Sequence, residues 1–437
     1  MLKIFTSEKD AVSNQIINGI AIVFIFTAIN AIFYSIGYAF SFKTGTYIIR
    51  GDYLADLYKI SLSYPKAREL FESGNLVSPD FLSPLLNIYY KYTYQGIEGL
   101  SSNQLTHFHL PPLTTAFIFL QIIAFSLIGF LGATTLLLIA TFSSIIIVSK
   151  LAIKKDAYLF SLLIFISYPF IFLLQRGNFI AFFSFVLILL AVITLKKGRV
   201  FVPIVLIAIA VNFRPNLIVY TALLYFWPCR SIARPVLSVV LAFIIFAIAL
   251  FLDNYIYPNY TFDNFIKGLK IYNLLYISGD WGFGYSSSLF TLFKFIFKLI
   301  GIEFFASYAI NFQIAFTMTG LVYFAWLYNK EKIGDIVFVF LLTAISMLGT
   351  PIFADYHLLL FIIPAILVLW NRNEKNGNNN FQIKINNIIF ITCCFMLSPL
   401  NYLNFEGLYV FNLLKTLTVS GVMIYLICKQ NQHVLRN

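Results

Sequence analysis

Long apolar runs recur along the whole chain, and short polar connectors separate them. A run of 18 or more apolar residues is typical of a transmembrane helix, because about 20 helical residues cross the hydrocarbon core. The runs predict spans at residues 15–40, 113–149, 157–174, 177–195, 200–213, 215–228, 235–253, 304–327, 333–349, 356–370, 386–402 and 407–428. The predicted fold class is all-α, a polytopic transmembrane helical bundle of about 11–13 spans. We expect residues 1–437 to form a single integral-membrane domain.

The run 113–149 is long for one crossing and short for two. We expect one span preceded by a helix at the outer surface. Gly129 and Gly132 mark the predicted break between these two parts.

The connectors alternate in charge, and this alternation predicts the orientation. More than half of the 30 basic residues lie in one set of short connectors and tails, near residues 3–9, 150–155, 196–199, 230–234, 330–332, 372–384 and 429–436. By the positive-inside rule this set is cytoplasmic, with both termini inside. The net charge of +12 is thereby explained by topology, so we predict no nucleic-acid partner. For a bacterial source, the membrane would be the plasma (inner) membrane.

The other connectors then face outward, and every candidate for chemistry falls among them. The first outer loop, 41–112, carries an acidic motif. The second, 254–303, contains a predicted interfacial amphipathic helix at residues 286–300.

Two acids stand out in the first outer loop, Asp52 and Asp56. Their spacing places both on one face of a helix, about one turn apart. A carboxylate suits the removal of a proton from an acceptor hydroxyl. The alternative is a solvated juxtamembrane amphipathic helix.

Arg214 lies between two apolar runs that are short for a double crossing, 200–213 and 215–228. Pro215 favours a helix break there. The runs are either two short spans or a hairpin whose tip stops in a polar cavity. Arg214 would then bind a phosphate bidentately, or it would snorkel to the outer surface.

Three further outward segments carry candidate binding residues. Arg176 precedes Gly177-Asn178, a sequence typical of a tight turn. The turn either lets a ligand approach the backbone closely or simply connects two helices. Asp355 and His357 open a predicted span, where they bind sugar or phosphate or cap the helix. His109 pairs with His107 before Pro111, but no third ligand at suitable spacing accompanies them, so we predict no metal.

Together these motifs resemble the GT-C superfamily of integral-membrane glycosyltransferases, and within it glycosyltransferase family 87, whose members use polyprenyl-phosphate-mannose. The resemblance covers roughly residues 45–370. It rests on the order and sidedness of Asp52/Asp56, Leu110-Pro111-Pro112-Leu113, Arg176-Gly177-Asn178, Arg214-Pro215 and Pro351…Asp355-Tyr356-His357-Leu358. The chain departs from the family pattern where Leu110 replaces a tyrosine and where Arg214 adjoins the proline.

The resemblance implies a GT-C bundle with outer-face juxtamembrane helices and a polyprenyl-phosphate sugar donor. The enzyme would transfer a mannose-like hexose or a pentose, with inversion and without a cofactor, to a glycan or lipid acceptor at the outer face. Asp56 or Asp52 would be the base. The residues that would bind the donor phosphate or the substrate are Arg214, Arg176, Asn178, His357, Asp355 and His109. Two alternatives stay open: a surface-polysaccharide polymerase or ligase, and a transporter or flippase of a lipid-linked sugar.

Overall fold

The computed structural model of the chain describes residues 11–39, 111–256, 261–272, 286–301, 309–351, 353–373, 380–399, 404–405 and 408–434. Most of the first outer loop lies outside these ranges. The predictions for Asp52, Asp56 and His109 therefore concern residues outside the described part of the chain.

The described chain is almost entirely helical, which confirms the all-α class. Its α-helices are, in order, α1 (Ala11–Ala39), α2 (Pro112–Ile153), α3 (Ala157–Phe165), α4 (Tyr168–Arg176), α5 (Phe179–Lys196), α6 (Phe201–Phe213), α7 (Thr221–Phe226), α8 (Ala233–Ile256), α9 (Phe262–Tyr272), α10 (Leu289–Leu299), α11 (Ala309–Asn329), α12 (Asp335–Gly349), α13 (Ile362–Asn373), α14 (Asn380–Met396) and α15 (Val410–Val434). Short 3-10 helices lie at Lys154–Asp156, Pro215–Tyr220 and Asp355–Phe361. The short strands β1 (Asn404–Phe405) and β2 (Leu408–Tyr409) pair antiparallel.

Within these ranges, five helical segments are long and apolar enough to cross a membrane. They are Ala11–Ile32, Leu131–Phe165, Phe179–Lys196, Ala233–Tyr255 and Asp355–Arg372. Three shorter apolar helical segments accompany them, at Phe201–Phe213, Pro215–Phe226 and Asp335–Gly349. The protein is thus a multi-pass helical membrane protein.

Two predicted spans contain breaks in the structure. The run 113–149 forms α2, inside which Gly129 has a non-helical backbone with φ of 76°, at one of the two predicted positions. The run 157–174 divides into α3 and α4, because Pro169 cannot donate the backbone hydrogen bond that would continue α3. The Ile164 carbonyl at the end of α3 accepts hydrogen bonds from both the amide of Ser167 at 3.0 Å and its hydroxyl at 2.6 Å.

The described helices form two compact units. The first unit comprises residues 11–39, 145–172 and the described residues from 286 onward. Helix α12 lies at its centre, in contact with α10, α11, α13, α14 and α15. This enclosure explains why every residue of α12 from Ile336 to Gly349 is buried.

Close helix contacts in the first unit depend on glycine. A Cβ atom at Gly320 of α11 would overlap the side chain of Ile345 on α12. A Cβ at Gly19 of α1 would lie 2.8 Å from the Sγ of Cys394 on α14. Small residues at these positions allow the helix axes to approach, as is usual where helices pack within a membrane.

The second unit comprises residues 111–144, 173–256 and 261–272. Its α6 packs between α5 and α8. One flank of α8 is highly exposed, with Phe243 and Phe251 each at 70%, as expected for a helix that contacts lipid. Helix α9 of this unit is amphipathic, and so is α10 of the first unit. Both helices lie within the predicted second outer loop.

Candidate functional site

A buried carboxylate begins the 3-10 helix Asp355–Phe361 in the first unit. Asp355 is 0% exposed. Its Oδ2 accepts a hydrogen bond from the Tyr168 hydroxyl at 3.3 Å, and its Oδ1 accepts one from the Ser287 hydroxyl at 3.3 Å. The N-cap of this helix is Ala354, and no side chain caps it. Asp355 follows as the first residue of the 3-10 helix, and its carboxylate binds hydroxyl groups from two other segments.

A short backbone bridge brings Ser286 and Ser287 to this carboxylate. Ser286 pairs with Ala354 in an isolated antiparallel β-bridge. The Phe353 amide donates to the Ser286 hydroxyl at 2.9 Å, and the Ser287 amide donates to the Phe353 carbonyl at 3.1 Å. Since buried backbone groups must be paired, this bridge fixes Ser287 beside Asp355.

The next serine begins α10. The Ser288 hydroxyl accepts a hydrogen bond from the Thr291 amide at 3.2 Å and donates to the Pro351 carbonyl at 3.1 Å. Serine is well suited to this position because its oxygen satisfies an amide in the first turn of a helix. The same residue therefore begins one helix and holds the extended segment that leads to Asp355.

A lysine on α15 completes the group. Lys415 is 0% exposed, and its Nζ lies 5.1 Å from the ring centroid of Tyr168. The charge of Asp355 also acts on this ammonium group. We refer to Tyr168, Ser287, Asp355 and Lys415 as the Asp355 cluster. It combines an anion, a cation and two hydroxyl groups within an apolar helical unit, where ionisable residues are costly and usually functional.

Aromatic rings border the Asp355 cluster. Tyr168 stacks on Phe172 at a centroid distance of 5.7 Å, and Phe172 stacks on Tyr356 at 5.9 Å. The imidazole of His357 meets the Tyr356 ring edge-on at 4.5 Å. Of the sequence-predicted site residues, the structure thus brings Asp355 and His357 into one segment, as their spacing requires.

The predicted tight turn at residues 176–178 is present in the second unit. Arg176 ends α4, and Gly177 has a φ of 68°, the left-handed conformation that glycine permits. The Asn178 side chain accepts a hydrogen bond from the Ala181 amide at 3.1 Å and caps α5. At this position the structure provides a helix cap, which is the plainer of the two roles considered for the turn.

The predicted break at Arg214-Pro215 is also present in the second unit. Helix α6 ends at Phe213, Arg214 is extended, and the 3-10 helix Pro215–Tyr220 follows. The Asn212 amide group, just before the break, donates to the carbonyls of Ala208 and Ala242, each at 2.9 Å. This amide thereby ties α6 to α8.

A cavity of about 160 Å³ adjoins this break. The polar side chains in its wall bind backbone carbonyls: Ser238 donates to Ile204 at 3.0 Å and Thr221 donates to Ile218 at 2.7 Å. The remaining lining is apolar, including Val211 and Phe246. Arg214 is not among the residues that line this apolar cavity, so the polar cavity considered for the hairpin tip stays a prediction.

The predicted site residues therefore fall into three groups. Asp355 and His357 lie in the first unit, and Arg176, Asn178 and Arg214 lie in the second. Asp52, Asp56 and His109 lie outside the described residues, as stated above.

Sequence reasoning missed Tyr168, the serines at 286–288 and Lys415. Lys415 had a detectable signal, because it is a lysine within the predicted span 407–428. The serines lay in a loop whose polarity was expected, so their burial could not be foreseen. Tyr168 was one of 27 tyrosines, and nothing in its local sequence distinguished it.

Among the described residues, no three His, Cys, Asp or Glu side chains come together in a way that would hold a metal ion. Comparison of the chain with protein-family models, curated proteins and solved structures gives no match.

Proposed function

We propose that this protein is a membrane glycosyltransferase of GT-C type. It transfers a mannose-like hexose or a pentose from a polyprenyl-phosphate donor to a glycan or lipid acceptor at the outer face of the plasma membrane. The complete bundle would have about 11–13 spans, cytoplasmic termini and outer-face juxtamembrane helices.

The observation that carries the proposal is the Asp355 cluster. The buried carboxylate accepts hydrogen bonds from protein hydroxyl groups. It can accept them equally from the hydroxyl groups of a sugar, which are the same kind of donor. A buried ammonium nearby suits the negative phosphate of a lipid-linked donor.

Helix lengths support the proposed sidedness in each unit. Helix α12 has 15 residues and spans about 22 Å between the basic turn at Lys330–Lys332 and the segment of Asp355. Helix α5 has 18 residues and spans about 27 Å between Asn178 and Lys197. Because basic turns favour the cytoplasmic side, both candidate segments would face outward.

The proposed reaction has one proton transfer and one bond exchange. Asp56 or Asp52 accepts the proton of the acceptor hydroxyl, whose oxygen attacks the anomeric carbon of the donor sugar. The bond from that carbon to the phosphate oxygen breaks, and polyprenyl phosphate leaves with the electron pair. Attack from the face opposite the leaving group inverts the anomeric configuration. Basic side chains would stabilise the charge that develops on the phosphate.

The test is transfer by the purified full-length chain in lipid nanodiscs, with polyprenyl-phosphate mannose as donor and a second glycolipid as acceptor. The variants Asp52→Asn, Asp56→Asn and Asp355→Asn are compared with Asp263→Asn, an exposed acid in the first turn of α9. We expect at least one of the first two variants to lose transfer by about 100-fold, since a general base contributes about 10²–10⁴-fold. Asp263→Asn should retain the parental rate.

A flipping assay on the same preparations separates the alternatives. A transporter would move the lipid-linked sugar across the bilayer without forming product. If the parental protein flips the lipid and forms no transfer product, the transferase proposal is wrong. If it forms product and both Asp52→Asn and Asp56→Asn transfer at the parental rate, neither acid is the base.

A further inference from the structure

The Lys415 ammonium lacks a hydrogen-bond acceptor among the described residues. An ammonium group has three N–H donors, and burying them without acceptors is costly. The Nζ atom is near the face of the Tyr168 ring at 5.1 Å, which gives a cation–π contact but accepts no conventional hydrogen bond.

The carboxylate of Asp355 does not fill this need. Both of its oxygens accept hydrogen bonds from hydroxyl groups, Oδ2 from Tyr168 and Oδ1 from Ser287. Its charge acts on Lys415 through space, without a hydrogen bond between them. Among the described residues, Lys415 therefore has a counter-charge but no hydrogen-bond acceptor.

A second unsatisfied group lies directly beside Lys415 in the sequence. Thr416 is 0% exposed, and its Oγ1 likewise has no hydrogen-bond partner among the described residues. The other hydroxyl groups of this region are occupied: Ser288 bonds Thr291 and Pro351. Two consecutive positions of α15 thus carry buried donors, although consecutive helical side chains point in different directions.

The position of Lys415 along α15 suits a headgroup. Its Cα lies about 7.5 Å from the helix start at Val410, but about 21 Å from Lys429 near the other end. Since Lys429 belongs to the predicted cytoplasmic set, Lys415 lies near the opposite, outer end. A lipid phosphate reaches that depth without crossing the middle of the bilayer.

We propose that Lys415 binds the phosphate of a glycosyl phosphate, while Asp355 accepts hydrogen bonds from the hydroxyl groups of its sugar. The inference rests on the proposed function, because the ligand is the donor of that reaction. A phosphate supplies the acceptor oxygens that the ammonium lacks. A polyol supplies hydroxyl groups that compete with Tyr168 and Ser287 for the carboxylate. A molecule that carries both groups matches the charge pattern of the cluster better than either half alone.

The experiment measures ligand affinity rather than turnover. The full-length chain is placed in nanodiscs of phosphatidylcholine, and binding of polyprenyl phosphate and of polyprenyl-phosphate mannose is titrated by native mass spectrometry. We expect Lys415→Met to weaken both by on the order of 10- to 100-fold, the loss typical of a charge-assisted hydrogen bond. Asp355→Asn should weaken only the mannosylated lipid. Lys150→Met is the matched control, an exposed lysine whose Nζ lies 4.7 Å from the Tyr158 ring, and it should bind both ligands like the parental chain.

A double variant separates ligand binding from a purely structural ion pair. Removal of one buried charge destabilises the protein, whereas removal of both relieves that penalty. Asp355→Asn combined with Lys415→Met should therefore recover the parental melting temperature, yet bind polyprenyl phosphate as weakly as Lys415→Met alone. If the double variant recovers both stability and affinity, Lys415 is only a structural partner of Asp355 and the inference is overturned.

A third arm adds phosphatidylglycerol to the nanodiscs. If this lipid displaces polyprenyl-phosphate mannose at equal concentration, the site accepts any phosphodiester headgroup and the glycosyl phosphate assignment is wrong.

If Lys415→Met binds both polyprenyl lipids normally while the parental chain still transfers sugar, the inference fails and the proposed function stands. If binding depends on Lys415 but the parental chain gives no product, the proposed function fails and the binding site stands.

Discussion

Two helix breaks in this protein have similar backbones and different side-chain chemistry. In the first unit, α12 ends near Pro351, and the 3-10 helix Asp355–Phe361 follows. In the second unit, α6 ends before Pro215, and the 3-10 helix Pro215–Tyr220 follows. In both places a proline ends the helix and an extended residue, Ala354 or Arg214, precedes the 3-10 turn.

The partners of the polar groups distinguish the two breaks. At the first, hydroxyl groups from Tyr168 and Ser287 reach the buried Asp355 from other segments. At the second, the Asn212 amide binds backbone carbonyls of α6 and α8, and an apolar cavity adjoins it. The first break brings hydroxyl groups of other segments onto a buried carboxylate, whereas the Asn212 amide at the second joins α6 to α8.

A helix break in a membrane protein is therefore insufficient to identify a site. Every break must satisfy its freed backbone groups, and a structural amide does this well. A binding site additionally needs polar side chains that a ligand can engage. Four predictions follow in order of expected effect: the first compares the two breaks directly, and the others test the packing and capping of the units that contain them.

Replacement of Asp355 by alanine should reduce sugar transfer by on the order of 100-fold, because two hydrogen bonds to a charged group are lost. The initial rate with polyprenyl-phosphate mannose measures this loss. The corresponding change at the second break, Asn212→Leu, should lower the free energy of unfolding by about 1–2 kcal/mol and leave the rate within a factor of about 3. Equal losses of activity at both breaks would contradict the distinction drawn between them.

Replacement of Gly320 by leucine should destabilise the first unit by about 1–3 kcal/mol, because the added side chain overlaps Ile345 on α12. The melting temperature of the detergent-solubilised chain measures the effect. The control is Gly421→Ala on α15, where an added Cβ meets no atom within 4 Å. Since alanine favours helix over glycine, this control should be neutral or stabilising by up to about 1 kcal/mol. A stable Gly320→Leu variant would show that α11 and α12 do not need close contact.

Replacement of Asn178 by alanine should lower the free energy of unfolding by about 1 kcal/mol, because the cap on the Ala181 amide is lost. Asn178→Ser retains an oxygen at the N-cap and should be close to parental stability. Transfer assays on the same pair show whether Asn178 has a further role. If serine restores stability but leaves transfer at the level of the alanine variant, the amide contacts substrate as well as capping α5.

Replacement of Ala242 by valine should stabilise the second unit by about 0.5–1 kcal/mol, because the added methyl groups partly fill the apolar cavity. The matched control is Ala210→Val on α6, which is fully buried outside the cavity lining and should destabilise by about 1–3 kcal/mol through overpacking. Thermal unfolding of both variants gives the comparison. A destabilised Ala242→Val variant would mean that the cavity has no room for the added groups.

The sequence by itself determined the class of the protein and several of its breaks. Apolar runs long enough to cross a bilayer require helices there, since a helix satisfies its own backbone hydrogen bonds without water. The breaks at Gly129, Gly177 and Pro215 were predictable because glycine and proline change backbone geometry locally, whatever surrounds them. The presence of Asp355 and His357 in one segment followed from their spacing alone.

The tertiary structure alone decided which polar residues meet. Ser287, Tyr168 and Lys415 lie 68, 187 and 60 positions from Asp355 along the chain, so no local pattern connects them. Their contact depends on the bridge between Ser286 and Ala354 and on the packing of α15 against α12. Side-chain hydrogen bonds act over about 3 Å in space, irrespective of sequence separation. For the same reason the sequence could not show that Asn178 caps a helix or that Asn212 joins two helices. Their hydrogen-bond partners in the structure show both roles.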